Sequence, residues 1–150
     1  MNTPLHDLIA RLFSAVEAKD LVTTMSLFAD DALVIDPHFP AHRMRGKTAI
    51  AEGFRGAMST MRSFGYTTIN YFEAESGNRA AIETATHHVI GQGRELNFSQ
   101  VFVFEVANLR ITRMQAYEPY GPHGMMGAFL FFGRLISRFL KSGSEPATAT

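Results

Sequence analysis

Apolar positions recur along the first half of the chain with the spacing of helices. Leu5, Leu8, Ile9, Leu12, Phe13 and Val16 follow the i, i+3, i+4 rule for one buried helical face. Thr3 and Pro4 open this helix, with a hydroxyl at the N-cap and a proline where no amide hydrogen is needed. A second helix is predicted from Asp20, as its cap, through Leu21, Val22, Met25 and Phe28, ending at the acidic pair Asp30 and Asp31. Ala32 to Asp36 reads as a short strand. Pro37 and Pro40 then impose an extended loop holding His38 and His42, both read as surface residues. A third helix is predicted over 48–61, with Ile50, Phe54, Ala57, Met58 and Met61 on its apolar side.

Beyond residue 65 the period changes to two. Strands are predicted over 66–74, 79–90, 96–106 and 109–117. Gly91-Gln92-Gly93 makes one hairpin turn and Ala107-Asn108 another. Leu96, Phe98, Gln100, Phe102 and Phe104 share one face of their strand. The order α-α-β-α-β-β-β-β predicts an α+β fold, a curved antiparallel sheet wrapped on three helices around an apolar pocket. Residues 1–120 are read as this cone domain. Residues 121–141 are read as an added amphipathic helix, with Met125, Phe129, Phe132, Ile136 and Phe139 on one face and Arg134, Arg138 and Lys141 on the other. It is expected to act as a lid or a dimer interface rather than to lie on a membrane surface. Residues 142–150 are read as a disordered tail.

Composition narrows the partners. Fourteen basic and fourteen acidic side chains cancel, which argues against a nucleic-acid partner. The absence of cysteine excludes disulfides and thiolate metal sites and leans the expectation to the cytoplasm. No basic segment leads into an apolar run near Met1, so no signal peptide is expected. Thirteen phenylalanines and eight methionines indicate an adaptable apolar interior, which suits a hydrophobic ligand and an ordinary core equally.

Asp36 is the leading candidate for chemistry. A carboxylate at the end of an apolar strand either meets solvent or faces an apolar cavity, and in the cavity it is poised to exchange protons. Strand parity adds Phe98, Gln100 and Phe102, with Met114 and Glu118 from the last strand. In the strand 79–90 the hairpin alignment places Glu83, Ala85, His87 and Val89 inward, so His87 joins the candidate site. A one-residue change of register exchanges these for the opposite set, His88, Gln115 and Tyr117 among them.

The segments Met1-Asn2-Thr3-Pro4, Ala18-Lys19-Asp20-Leu21, Leu27 to Ala32, Asp36-Pro37, Gly46 and Ala49-Ile50 resemble bacterial ketosteroid (steroid Δ5-) isomerase, a member of the nuclear transport factor 2-like superfamily that also holds the SnoaL-like polyketide cyclases. The resemblance is dense over residues 1–55 and one of pattern over 56–118. It implies the cone fold, catalysis without a cofactor or metal, and a homodimer. It gives Asp36 the role of the base that moves a proton between two carbons. The isomerase's tyrosine donor falls at Leu12 and its second aspartate at Gln100, leaving Gln100 to polarise a substrate oxygen. A carboxylate with a histidine resembles the arrangement of related dehydratases, which makes His87 a second acid or base. Leu12, Val34, Phe54 and Tyr117 are expected around the substrate with Phe98, Phe102, Met114 and Glu118. Double-bond isomerisation of a polycyclic or enone-type substrate is the leading expectation. Dehydration or polyketide cyclisation through Asp36 and His87 is the second, and a non-catalytic ligand-binding or assembly module the third.

Overall fold

The computed structural model describes residues 3–118. The predicted helix within 121–141, the tail 142–150, and Met1 and Asn2 lie outside the described residues. The order is α1 (Pro4–Glu17), α2 (Leu21–Ser26), β1 (Phe28–Ile35), β2 (Arg43–Arg45), α3 (Lys47–Thr60), β3 (Met61–Ser63), β4 (Tyr66–Glu73), β5 (Arg79–Ile90), β6 (Glu95–Ala107) and β7 (Arg110–Tyr117).

Local chemistry accounts for the helix starts. Thr3 caps α1 by accepting the His6 amide hydrogen at 3.2 Å. Asp20 caps α2 by accepting the Thr23 amide hydrogen at 2.9 Å. Lys19, at φ 55°, turns the chain between the two helices. α2 is shorter than its pattern suggests. It stops at Ser26, and Asp30 and Asp31 fall within β1 rather than closing a helix. Both are exposed, and Asp30 pairs with Lys47 at 2.9 Å.

The sheet runs β2-β1-β7-β6-β5-β3, and β4 also pairs with β5. All pairings are antiparallel except β1 with β7, which is parallel. The short strands β2 and β3 were not anticipated, because three residues carry no readable alternation. β3 and β4 meet the same edge of β5 in succession: Ser63 lies opposite Val89 and Tyr66 opposite Thr86. Phe64 and Gly65 bridge the gap between them.

The inner face of the sheet packs on the apolar stripe of α1 and on α3. Phe28, Phe104, Ile9, Leu12, Ile50, Ile111 and Val34 are fully enclosed in that layer. Even-numbered positions of β5, β6 and β7 face inward: Ala80, Ile82, Thr84, Thr86 and His88, then Gln100, Phe102 and Phe104, then Met114 and Ala116.

The β6–β7 turn holds two residues, Asn108 and Leu109, with φ of 51° and 55°. This is the twist a two-residue hairpin requires, and asparagine tolerates it. Leucine does not, and Leu109 is 66% exposed with no packing to lose. Leu109→Gly is expected to stabilise the fold by about 0.5–1 kcal/mol, the relief of left-handed strain less the added freedom of the unfolded chain. Urea titration of both proteins measures it.

Candidate functional site

Period two in β1 buries Ala32 and Val34, and Asp36 continues the same parity one residue past the strand end. The side chain is therefore buried, at 6% exposure, on the wall of an apolar pocket. Its loop is closed by the Asp36 amide donating to the His42 carbonyl at 2.9 Å. Asp36 Oδ1 also accepts the His38 amide hydrogen at 2.9 Å, the turn that an aspartate makes two residues ahead of itself. That turn swings the His38 imidazole back over the pocket.

The free space inside the pocket is about 80 Å³, small for a ligand site, and its walls are mainly apolar. Leu12, Phe13 and Val16 line it from α1, Phe54 from α3, Phe98 and Phe102 from β6, and Met114 from β7. Phe64, Tyr66 and His88 close another side. Tyr66 stacks on Phe13 with ring centres 4.7 Å apart. Burial, with the charge of Asp36 adding to it, pushes the Tyr66 phenol far above its ordinary range, so it stays neutral.

A hydrogen-bonded chain crosses the inner face of the sheet and ends at Asp36. Thr84 and Thr86 hydroxyls lie 3.2 Å apart. Thr86 donates to Gln100 Oε1 at 3.0 Å, and Gln100 Nε2 donates to Glu118 Oε1 at 2.9 Å. Glu118 Oε1 pairs with His38 Nδ1 at 2.5 Å, and His38 Nδ1 lies 3.4 Å from Asp36 Oδ1. The Glu118 carboxylate can only accept, so the Gln100 nitrogen faces it and the amide oxygen is left to accept from Thr86. The buried Asp36 and the partly buried Glu118 thus meet at one imidazole nitrogen. The hydrogen bond to Asp36 raises the His38 pKa above its ordinary 6.5, burial opposes this, and the charges of Glu118 and Asp36 reinforce it.

Asp36, His38 and Glu118 each offer one ligand atom, all within 4.8 Å of one another, which is the spacing of a cation site. The Gln100 amide hydrogen given to the same Glu118 oxygen holds that carboxylate in place, which serves a proton-exchanging group and a metal ligand alike.

The structure corrects several expected positions. His87 is exposed on the outer face, where its Nδ1 meets Asn97 Oδ1. The β5–β6 turn is centred on Gln92, so Val89 lies opposite Glu95, His88 opposite Leu96 and Thr84 opposite Gln100. That pairing puts His88 inside and turns Glu83, Ala85, His87 and Val89 the other way. Tyr117 is on the outer face and 49% exposed. Val34 is in the packed core and does not line the pocket. Gln100 is in the pocket wall as expected, where one of its two amide hydrogens is given to Glu118. His38, read as a surface residue, is the central member of the cluster. The signal that could have found it is Asp36-Pro37-His38 itself, an aspartate followed at the turn spacing by an imidazole.

A curved sheet closed by helices around such a pocket defines a nuclear transport factor 2-like domain. The family model described as the SnoaL-like domain matches residues 9–114, and the chain belongs to that family. The sequence matches none of the curated proteins with which it was compared. Among solved structures, RV0760c from Mycobacterium tuberculosis, in complex with estradiol-17β-hemisuccinate, is 23% identical with a TM-score of 0.70, covering 77% of this chain and 94% of that one. The Δ5-3-ketosteroid isomerase from a Mycobacterium species is 22% identical with a TM-score of 0.70, covering 77% and 93%. A putative polyketide cyclase from Xanthomonas campestris is 20% identical with a TM-score of 0.68, covering 79% and 90%. At these identities the likeness is one of fold. Among the described residues, no helix is long and apolar enough to cross a membrane.

The raised pKa of His38 has a sign that can be tested. The folded state holds this proton more tightly than the unfolded chain, so the stabilisation is present below the ordinary histidine pKa. It is lost as pH rises from about 6.5 through the folded-state value. Wild type is expected to lose more stability than His38→Ala across that interval in parallel urea titrations. Equal pH dependence would show that His38 holds no extra proton.

Proposed function

We propose that this protein is a cofactor-independent enzyme that moves a proton between carbons of a hydrophobic, oxygen-bearing ring compound. One observation carries the reading: Asp36 is buried on the wall of an apolar pocket and coupled to His38. Only Asp36 Oδ1 has hydrogen-bond partners among the described residues. Oδ2 is then the oxygen that takes a proton from the carbon beside a carbonyl. The electron pair moves into the C–C–O system as a dienolate, and Asp36 returns the proton to the distal carbon. No atom is gained or lost, so the product is the conjugated isomer of a β,γ-unsaturated ketone. The aromatic walls suit a polycyclic frame, and the steroid complex of RV0760c supports that substrate class.

A second reading draws on His38. Its raised pKa keeps an imidazolium available near neutral pH, and its side chain is 43% exposed, open to recharging from solvent. With a β-hydroxy ketone, Asp36 would take the α proton while His38 protonates the departing hydroxyl, releasing water. His38 thereby replaces His87 in the dehydratase or cyclase scheme.

Turnover of a panel of β,γ-enones and β-hydroxy ketones separates the readings. Asp36→Asn is expected to lower kcat by about 10²–10⁴ on whichever class reacts. His38→Gln is expected to reduce dehydration by a similar factor and isomerisation far less. Steroid binding without turnover of any panel member would reduce the pocket to a binding module.

We also propose a homodimer formed through the outer face of the sheet. Val101 and Tyr117 are paired across β6 and β7 and both exposed, and Phe72 on β4 is 62% exposed. Large apolar side chains on one sheet face invite a partner. Val101→Glu is expected to halve the mass found by sedimentation equilibrium while leaving the circular dichroism spectrum unchanged. An unaltered mass would place any interface elsewhere.

A further inference from the structure

A ligand oxygen held in this pocket needs a donor, because a carbonyl stripped of water and left unpaired is costly. Leu12 has nothing to donate, and one amide hydrogen of Gln100 is given to Glu118. The second Gln100 amide hydrogen and the Tyr66 hydroxyl are two donors on the pocket wall, and a third is held in place by its neighbours.

His88 meets the requirement. It is 7% exposed, lines the pocket, and sits on the inner face of β5 two residues beyond Thr86. Three rings meet its imidazole edge to face: Phe64 and Tyr66 at 5.1 Å and Phe98 at 5.8 Å between centres. Its Nδ1 accepts the Gly65 amide hydrogen at 3.4 Å. That amide lies in the two-residue gap between β3 and β4, where the ladder with β5 is interrupted. The Gly65 carbonyl accepts the His87 amide hydrogen at 2.9 Å, which clamps the peptide against β5. A Cβ on Gly65 would stand 2.8 Å from the His87 carbonyl oxygen, so only glycine fits there.

The consequence is a defined tautomer. A nitrogen that accepts a backbone hydrogen carries none, so the neutral ring bears its proton on Nε2. Burial lowers the His88 pKa, and the charge of His38 and the neighbouring His87 act in the same direction. The His87 backbone and the charge of Asp36 oppose them. Tyr66, also packed on the ring, is neutral. The lowered pKa favours the neutral ring, whose remaining hydrogen is on Nε2.

We propose that His88 is the ligand-recognition residue of this pocket, donating from Nε2 to a carbonyl or enolate oxygen, with Gly65 as the positioning residue that sets its tautomer. This rests on the reading of the pocket as a site for an oxygenated hydrophobic ligand. It does not require that the ligand be turned over, so its test is one of binding.

The first test uses the wild-type protein. Nitrogen-15 spectra of labelled histidine at pH 8 should show His88 with an unprotonated Nδ1 and a protonated Nε2. A proton on Nδ1 overturns the proposal. The second compares two shape-matched probes, 2-acetylnaphthalene and 2-ethylnaphthalene, by calorimetry or fluorescence. His88→Phe is expected to weaken the ketone about tenfold, the loss of one hydrogen bond, and the hydrocarbon less than about twofold. Equal loss of both probes, or of neither, also overturns it. If the donor role holds while no substrate turns over, the catalytic reading fails alone.

Discussion

The site depends on the buried amide of Gln100. Such a side chain is tolerated only when both ends are satisfied, and here each end finds one kind of partner. Glu118, a carboxylate, can only accept and so takes the amide nitrogen, which leaves the amide oxygen to the Thr86 hydroxyl. Glu118, once held, fixes His38, and His38 reaches back to Asp36. Thr86 from β5, Glu118 at the end of β7, and His38 and Asp36 in the loop after β1 are four side chains ordered in sequence by Gln100 of β6. Partial satisfaction of such a network would be worse than an apolar wall, so its members are expected to act as a unit.

The same constraint sorts the pocket into two kinds of wall. Around Asp36, His38 and Glu118 there are two carboxylates and one imidazole, so the region is negative or, with a shared proton, close to neutral. Facing it are rings without charge: Phe13, Phe64, Phe98, Phe102, the neutral phenol of Tyr66 and the imidazole of His88. An anionic ligand would meet repulsion from the carboxylates, whereas a neutral ketone offers a lone pair to a donor and an acidic C–H to a base.

The fold was largely legible because its elements carry strong periods. Leu5 to Val16 has the helical spacing, and Phe98 to Phe104 the alternation of a strand with one buried face. β2 and β3 were not legible, being too short for any period. The failure over β5 has a physical cause. Its inner face below Ile82 is Thr84, Thr86 and His88, while its outer face is Glu83, Ala85, His87 and Val89. Neither set is clearly more apolar, so hydrophobicity does not reveal which is buried, and only the pairing about Gln92 decides it. His38 was missed for a different reason. A histidine between two prolines looks solvated until the aspartate turn that folds it inward is seen.

Leu12 gives this reasoning its last step. In the resemblance to ketosteroid isomerase, the oxygen donor stands on the first helix, where this chain has a leucine that is 1% exposed and packed. The apolar pocket and Asp36 are retained, so the loss of that donor does not abolish the need for one. A sheet wrapped around its ligand surrounds it from several elements, and a donor can be supplied from any inward position. β5 supplies one at His88, held by an amide that the break between β3 and β4 leaves without a ladder partner. The break that costs the sheet a backbone pair thus sets the tautomer of an imidazole inside the pocket. A scaffold of this kind can exchange the residue that reads an oxygen without moving the residue that handles the proton, and related chemistries can arise on one fold by that route.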